Sequence, residues 1–586
     1  MITLTSSSRK IAIAKEKNII QISDIIFNFN LKKKHKSNYH WDNNIKLKKD
    51  LSEIYKIYYK LLNLLTKRLN IIHNVNFSKK YWEILLWRWL SRYIILYFDR
   101  WEIITSLLKI YKKNNISINF VKFNELKFVP FDTYDHSTRC AMSDDWNHWV
   151  YNDILEKRSR YKFKCVNKKK ISPLPHFKIK EQNSFKNTLK FFSNPFLNKK
   201  IISQNLGFSK ENDLGLKLYL KNMHYVDENI FSNFKSNFNE NKRSQLSKFS
   251  SSFKTSFLKY MVSNLKYNFP MIFLENYKLA NIKLKKYKLP TNPKLIISSV
   301  DDVFNEPFKF FAAKKTLNGS KLFHLQHGGS YGTSDDYPIE KIQIKLNDKF
   351  LSWGWSGKSK KIEKLFCQKM IGIRIKQTKK TSGLIMPLFD WHLYPGDIGS
   401  GRPRTLNDIN LYIKNLDIFF SNLREDIKTK SAFKFLKHER NLFSDYNLYP
   451  TYVLNTLKSK FKKANFFHSK KSSIYYLEKY KIYVDSLNST GYLETLNLNL
   501  PTILIFDERI CRIRQDAKKY FLSLEKAKIL FKDAKEAAKF INDNYEKIDD
   551  WWFSNKVQIA VKNFTNKFAK TTNNPYKFLE KLKKYT

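Results

Sequence analysis

The chain runs to 586 residues, past the size at which a single hydrophobic core stops growing, so two or more domains are expected. Its 42% hydrophobic and 16% aromatic content excludes a disordered chain and supplies material for cores and pockets. Lys+Arg 108 against Asp+Glu 52 leaves +56, which two readings explain: a polyanion partner, nucleic acid or anionic membrane, or the Lys-, Asn- and Ile-rich composition of an AT-rich genome. The basic residues are not gathered on one helix or tail, so charge alone decides little.

Near the N-terminus no uninterrupted apolar run marks a leader peptide. From Leu47 to Ile72 the residues Leu51, Ile54, Tyr55, Tyr58, Leu62, Leu65 and Leu69 recur at helical spacing, and Tyr81 to Leu108 continues the pattern. The stretch Tyr81 to Phe98 comes nearest to a membrane span, but Glu83, Arg88 and Arg92 interrupt it with one polar stripe, so it reads as a buried amphipathic helix. Between about residues 157 and 290 lie basic, Ser- and Asn-rich stretches that suggest an insertion. The four cysteines, Cys140, Cys165, Cys367 and Cys511, show no metal or disulfide spacing, which suits a reducing cytoplasm.

After Asn292 short apolar runs alternate with helices. KLIISSV, a helix from Glu306 to Leu317, KLFHLQHGG, then SGLIMP, KIYVDS, a helix near Tyr492 and TILIF suggest parallel strands in βαβ units. FLSWGWSGKSKK near Phe350 is the expected crossing between lobes, and from Arg509 onward the chain reads as helical, with Trp551, Trp552, Ile559, Phe564 and Phe568 on one apolar face.

Two segments carry chemistry. In LQHGGSYGTS, His327 follows a strand where an α/β enzyme places its ligand crevice, and Gly328, Gly329 and Gly332 let backbone approach a ligand. His327 is either an acid/base or phosphate ligand, or a structural histidine in a tight turn. In VDSLNSTGYLETLNLNLPTILIF, Ser489, Thr490 and Gly491 open a helix that suits a phosphate or diphosphate, and Glu494 can accept from ribose hydroxyls; simple capping with a favourable early Glu explains the same residues. Gly357, Lys358 and Ser359 imitate a Walker A ending, but Ser352 stands where its first glycine belongs. No Asp-x-Asp or His-Glu-x-x-His is present, so no metal and no cofactor is expected, and transition-state charge falls to helix N-termini and Lys or Arg.

Together with YHWDNNIKL at Tyr39 to Leu47, LNIIHNV at Leu69 to Val75, KYWEILLWRWL at Lys80 to Leu90, FDRW at Phe98 to Trp101, DDWNHWVYNDIL at Asp144 to Leu155, SWGW at Ser352 to Trp355 and WWFSNKVQIAVKNF from Trp551, these segments resemble the LIC twelve-one-six-two type of bacterial transferases, associated with surface-carbohydrate and O-antigen gene clusters. The resemblance implies an α/β, GT-B-like fold of two Rossmann-type lobes with helical N-terminal additions and C-terminal helices, similar to CDP-glycerol glycerophosphotransferases. It implies residues 1–345 as the N-terminal acceptor lobe and 346–586 as the donor lobe. His327 would face the reacting centre; Gly328, Gly329, Ser489, Thr490, Gly491 and Glu494 would hold a nucleotide-activated sugar or CDP-glycerol-like donor. His40, Trp41 and Asp42 would contact a carbohydrate or lipid-linked acceptor, unless they form a buried aromatic cluster capped by Asp42. The sequence departs from the family pattern at Asn43, where a second acid is expected, and at Trp87 and Arg88 in place of Gly-Pro, both expected away from the donor site.

The function implied is metal-independent, glycosyltransferase-like transfer in the cytoplasm, with peripheral contact at an anionic inner membrane face. A nucleotide-sugar epimerase or hydrolase uses the same lobes and stays open. A nucleic-acid binder is the rival that the charge invites, but no reading module supports it and no specific nucleic acid is expected.

Overall fold

In the computed structural model the described residues are 2–5, 19–21, 39–110, 116–141, 143–158, 162–166, 200–208, 226–235, 237–248, 255–287, 289–335, 337–375, 381–389, 406–436, 452–462, 464–469 and 471–585, with 169, 170, 172, 213 and 215. Much of the basic stretch between 157 and 290 lies outside them.

Two long helices open the first lobe. α1, Asn44–His73, is capped by Asn43, whose side chain accepts from the Ile45 and Lys46 amides, so the departure from the family's acid preserves a residue that caps equally well. α2, Lys79–Ile110, packs against α1. From Tyr81 to Tyr97 every residue of α2 is buried, Glu83, Arg88 and Arg92 included. The helix is buried as expected, its polar stripe included. Among the described residues no helix is long and apolar enough to cross a membrane.

The N-terminal part is not only helical. β1 (Ile2–Thr5), β2 (Ile19–Gln21), β3 (Ile116–Phe120) and β4 (Lys162–Cys165) form a parallel sheet in the order β2-β1-β3-β4, with α3, Asp144–Arg158, between β3 and β4 in sequence. A second parallel sheet follows: β5 (Ile201–Gln204), β6 (Leu295–Ser298), β7 (Lys321–Leu325), β8 (Lys349–Ser352) and β9 (Ile362–Lys364), neighbours in sequence order. Helices α4 (Glu306–Leu317) and α5 (Pro338–Leu346) make the crossovers around β7. The buried runs predicted at KLIISSV and KLFHL are β6 and β7, buried on both faces as parallel strands require.

Phe350 lies inside β8, so the chain does not cross between lobes there; β8 and β9 still belong to the first lobe's sheet, beyond residue 345. The second lobe's sheet begins at β10 (Leu384–Leu388) and continues with β11 (Ala432–Leu436), β12 (Asn465–Ser469), β13 (Ile482–Asp485), β14 (Thr502–Ile505) and β15 (Leu530–Phe531). All pairs are parallel and the order is β12-β11-β10-β13-β14-β15, the doubly wound order with its reversal between β10 and β13. α6 (Leu406–Ser421), α7 (Gly491–Asn497), α8 (Lys518–Lys526), α9 (Ala534–Asn544) and α10 (Asn555–Phe568) surround it. The C-terminal region is thus not purely helical, since β15 completes the sheet, and of its expected apolar face Trp552, Phe564 and Phe568 are buried while Ile559 is exposed. The last helix, α11 (Tyr576–Lys583), returns to the first lobe, where Phe578, Leu579 and Leu582 pack on Ile201, Leu295, Phe323 and Leu351.

Candidate active site

The segment after β7 meets the turn after β13, so the carboxyl ends of the two large sheets face each other where ligands bind in open α/β sheets. The Gly329 amide donates to Thr490 Oγ1 at 2.9 Å, and Ser330 Oγ donates to the Asn488 carbonyl at 2.7 Å. Asn488 Nδ2 reaches Thr333 Oγ1 and Ser334 Oγ at 3.1 and 3.0 Å. Arg514 adds a second strap, its amide donating to the Thr333 carbonyl and its guanidinium to Glu340, which in turn accepts from the Gly332 amide. His327 stands two residues from Gly329, a span of about 7 Å at most by chain geometry, so His327 and Thr490 share one cleft.

The glycines also make room for the opposite lobe. A Cβ on Gly329 would lie 2.0 Å from the Ser489 carbonyl oxygen, and one on Gly328 would meet Thr490 Oγ1 at 3.1 Å. What approaches this backbone is the opposite lobe. Gln326 holds the loop in place: its Oε1 accepts from the Trp353 amide and from Trp355 Nε1, and its Nε2 donates to the Gly328 carbonyl. The SWGW segment is therefore a frame for the His327 loop.

His327 is half-buried. Its Nδ1 lies 3.3 Å from the Tyr331 hydroxyl, and among the described residues Nε2 has no partner. Desolvation, with the charges of His324, Lys369 and Arg88 outweighing that of Asp302, pushes the imidazole down to about 3. It is neutral at physiological pH and keeps a lone pair that can accept a hydrogen bond. The charge of Arg88 is among those that lower His327, and Trp87 Nε1 donates to the Asp302 carbonyl at 2.9 Å, so this departure from the family pattern lies on the first-lobe side of the cleft.

On the second lobe, Ser489 Oγ donates to Asp485 Oδ2 at 2.6 Å and accepts from the Gly491 amide at 3.1 Å. Burial pushes Asp485 up to about 6. Thr490 precedes α7 without a side-chain cap bond, so simple capping does not account for it. Glu494 is buried, which raises its pKa, and accepts from Ser472 Oγ at 3.0 Å. Lys369 is one residue that sequence reasoning missed: its charge is felt at both His327 and Glu494. Nothing in CQKM announces it, because only the fold brings that segment to the cleft.

The YHWD segment lies elsewhere. His40 and Trp41 are buried, His40 Nε2 contacts Asp99 Oδ1 at 3.0 Å, Tyr39 bonds the same carboxylate, and Trp41 donates to Asp50. The aromatic cluster is closed by Asp99 and Asp50, whereas Asp42 accepts from Asn407 of the second lobe. His40, Asp50 and Glu102 bring ligand-type atoms within 4.8 Å, and the Lys46 ammonium bonds both carboxylates at 2.7 and 2.8 Å.

The LIC12162 family transferase pattern matches residues 22–582. The chain belongs to this family of transferases. No curated protein matches it significantly. Among solved structures the transferase is similar to the spinosyn rhamnosyltransferase SpnG complexed with spinosyn aglycone, at 9% identity and TM-score 0.30 over 66% of this chain and 100% of that one. It is also similar to Anabaena HepE in complex with UDP and glucose, at 9% and 0.33 over 66% and 98%. The S. aureus MnaA-UDP co-structure gives 12% and 0.30 over 64% and 98%.

Proposed function

We propose that this transferase moves a sugar or sugar-like group, glycerol phosphate included, from a nucleotide-activated donor to a surface-carbohydrate acceptor without a metal. The observation that supports this reading is the meeting of a neutral His327, with Nε2 open, and the Ser489–Gly491 turn at the carboxyl ends of two parallel sheets. In the sugar case the acceptor hydroxyl gives its proton to His327, its oxygen bonds the donor carbon, and the bond to the leaving diphosphate breaks with its electron pair on that diphosphate. Lys369 meets the charge that develops there. Gly328, Gly329, Thr490 and Gly491 flank the donor, while Glu494 receives its hydroxyls. The first lobe runs in this reading to about residue 375 and the second from about 381, with α11 returning.

A panel of nucleotide-activated sugars and CDP-glycerol, with and without lipid-linked acceptor, tests the assignment. His327→Ala is expected to lower turnover by about 10²- to 10⁴-fold with little change in donor affinity. Glu494→Ala is expected to weaken donor binding by about 1 to 3 kcal/mol. Because Thr490 also bonds Gly329, Thr490→Ser should keep donor binding and Thr490→Val lose it. A His327→Ala enzyme that melts early yet keeps its specific activity at low temperature sinks the catalytic role.

A further inference from the structure

Two adjacent acids follow β6, and their surroundings differ sharply. Asp301 is fully engaged: Ser298 Oγ, Gln204 Nε2, Asn205 Nδ2 and Asn305 Nδ2 all donate to its carboxylate. Asp302, 6% exposed, has two buried carboxylate oxygens with no hydrogen-bond donor among the described residues. Its Oδ2 lies 3.3 Å from His324 Nδ1, and His324 Nε2 is likewise buried without a partner. β6 and β7 pair Ser298 with His324, so both groups sit at the carboxyl end of the first lobe's sheet. His324 and His327 stand with ring centroids 6.3 Å apart. The backbone of Asp302 is fixed by Trp87.

A buried carboxylate that faces only an imidazole nitrogen at 3.3 Å and accepts no well-formed hydrogen bond is costly, and such a group is tolerated where a ligand completes it. The missing ligand must supply donors to Asp302 and meet an imidazole nitrogen that either donates or accepts. Hydroxyls do both. A cation fits less well, because among the described residues the neighbouring acid, Asp301, is already taken up by four donors and leaves Asp302 as the single carboxylate to ligate it.

We propose that Asp302 and His324 form the acceptor subsite of the first lobe, binding neighbouring hydroxyls of a saccharide so that one of them is presented to His327. The proposal rests on the transferase reading above and names its acceptor as the polyhydroxy part of a carbohydrate, in place of His40, Trp41 and Asp42. Asp302 and His324 bind and orient.

Ligand-detected saturation-transfer NMR with free glucose, galactose, mannose and N-acetylglucosamine, run on the full chain, tests it alongside binding of UDP, GDP, CDP, ADP and dTDP. The wild type is expected to transfer saturation to at least one of the sugars. Asp302→Asn and His324→Leu should each reduce that signal at least tenfold on the order expected for a lost buried hydrogen bond pair, while nucleotide affinity stays within about twofold, less than the change from one such bond. Because Asn keeps an oxygen that can face His324 Nδ1 and removes a buried charge, Asp302→Asn should melt no lower than the wild type. Sugar signals absent from the wild type, undiminished in Asp302→Asn, or lost only together with a lower melting temperature overturn the subsite. Failure of every nucleotide to bind the wild type would instead count against the donor reading, leaving the sugar signals to judge Asp302.

Discussion

An alanine at position 329 would place its Cβ 2.0 Å from the carbonyl oxygen of Ser489, a backbone atom that cannot swing aside. Gly329→Ala should therefore push the His327 loop off the second lobe and break the bond to Thr490, at a cost of about 2 to 4 kcal/mol in the range of overpacked sites. Urea denaturation reads that loss, and an unchanged midpoint would mean that the loops do not meet. Histidine burial sets a second expectation. His136 packs among Trp89, Tyr93 and Trp146, and desolvation lowers it to about 3. The unfolded chain takes up that proton near 6.5, so the contribution to stability is complete above pH 6.5 and is lost as pH falls toward 3. His136→Phe should flatten this acid limb between about pH 4 and 6.5, by on the order of 3 kcal/mol across the window. Asp485, raised to about 6, runs the other way: its contribution is complete below its ordinary carboxyl range and lost as pH rises through 6. Stability curves of Asp485→Asn and His136→Phe against pH separate the two, and parallel shifts in both variants would contradict the assignment.

At the scale of elements, one residue ties three segments together. Gln326 receives Trp353 and Trp355, donates to Gly328, and its own carbonyl accepts from Gln368 Nε2 at 3.0 Å. Gln326→Leu leaves two buried N–H groups without acceptors, so a loss of about 2 to 4 kcal/mol is expected, with turnover falling because His327 is no longer held. Melting and single-turnover rates measured together check this; a stable variant with full activity would show that the frame is dispensable. The strands flanking these frames were legible in the sequence because parallel strands buried on both faces read as unbroken apolar runs, as in LIISS and YVDS. β11 was not, since Lys434 interrupts AFKFL, and β15 is too short to leave a pattern. In the candidate site, the two loops that the structure brings together, at His327 and at Ser489, could be singled out from their glycine and hydroxyl clusters. Arg88, Asp302 and Lys369 were not, because they come to His327 from distant segments and carry no local motif. The helix over Tyr81 to Phe98 was legible as buried, but what its polar stripe meets was not: periodicity reports which residues share a face, and the fold decides what that face packs against.

At the scale of the whole molecule, α11 makes the second lobe's C-terminus part of the first lobe's core. Phe578, Leu579 and Leu582 are each at most 2% exposed and cover Ile201, Leu295, Ile297, Phe323, Leu325 and Leu351, the inward residues of β5 to β8 on one face. The Cys367 amide also donates to the Lys570 carbonyl, and the Lys570 amide donates to the Trp353 carbonyl, just before that helix begins. Burying three large apolar side chains stabilises by on the order of 5 kcal/mol, taking about 1.5 to 3 for each and allowing for a partly compact unfolded state. A chain ending at residue 574 should expose this face of the first-lobe sheet while leaving β10 to β15 with their own helices. Hydrogen exchange is then expected to accelerate in β5 to β8 and to stay slow in β13 and β14, and nucleotide binding should survive the loss of turnover. Equal acceleration in both sheets would show that the lobes unfold as one unit, and no acceleration in β5 to β8 would show that α11 does not hold the first lobe together.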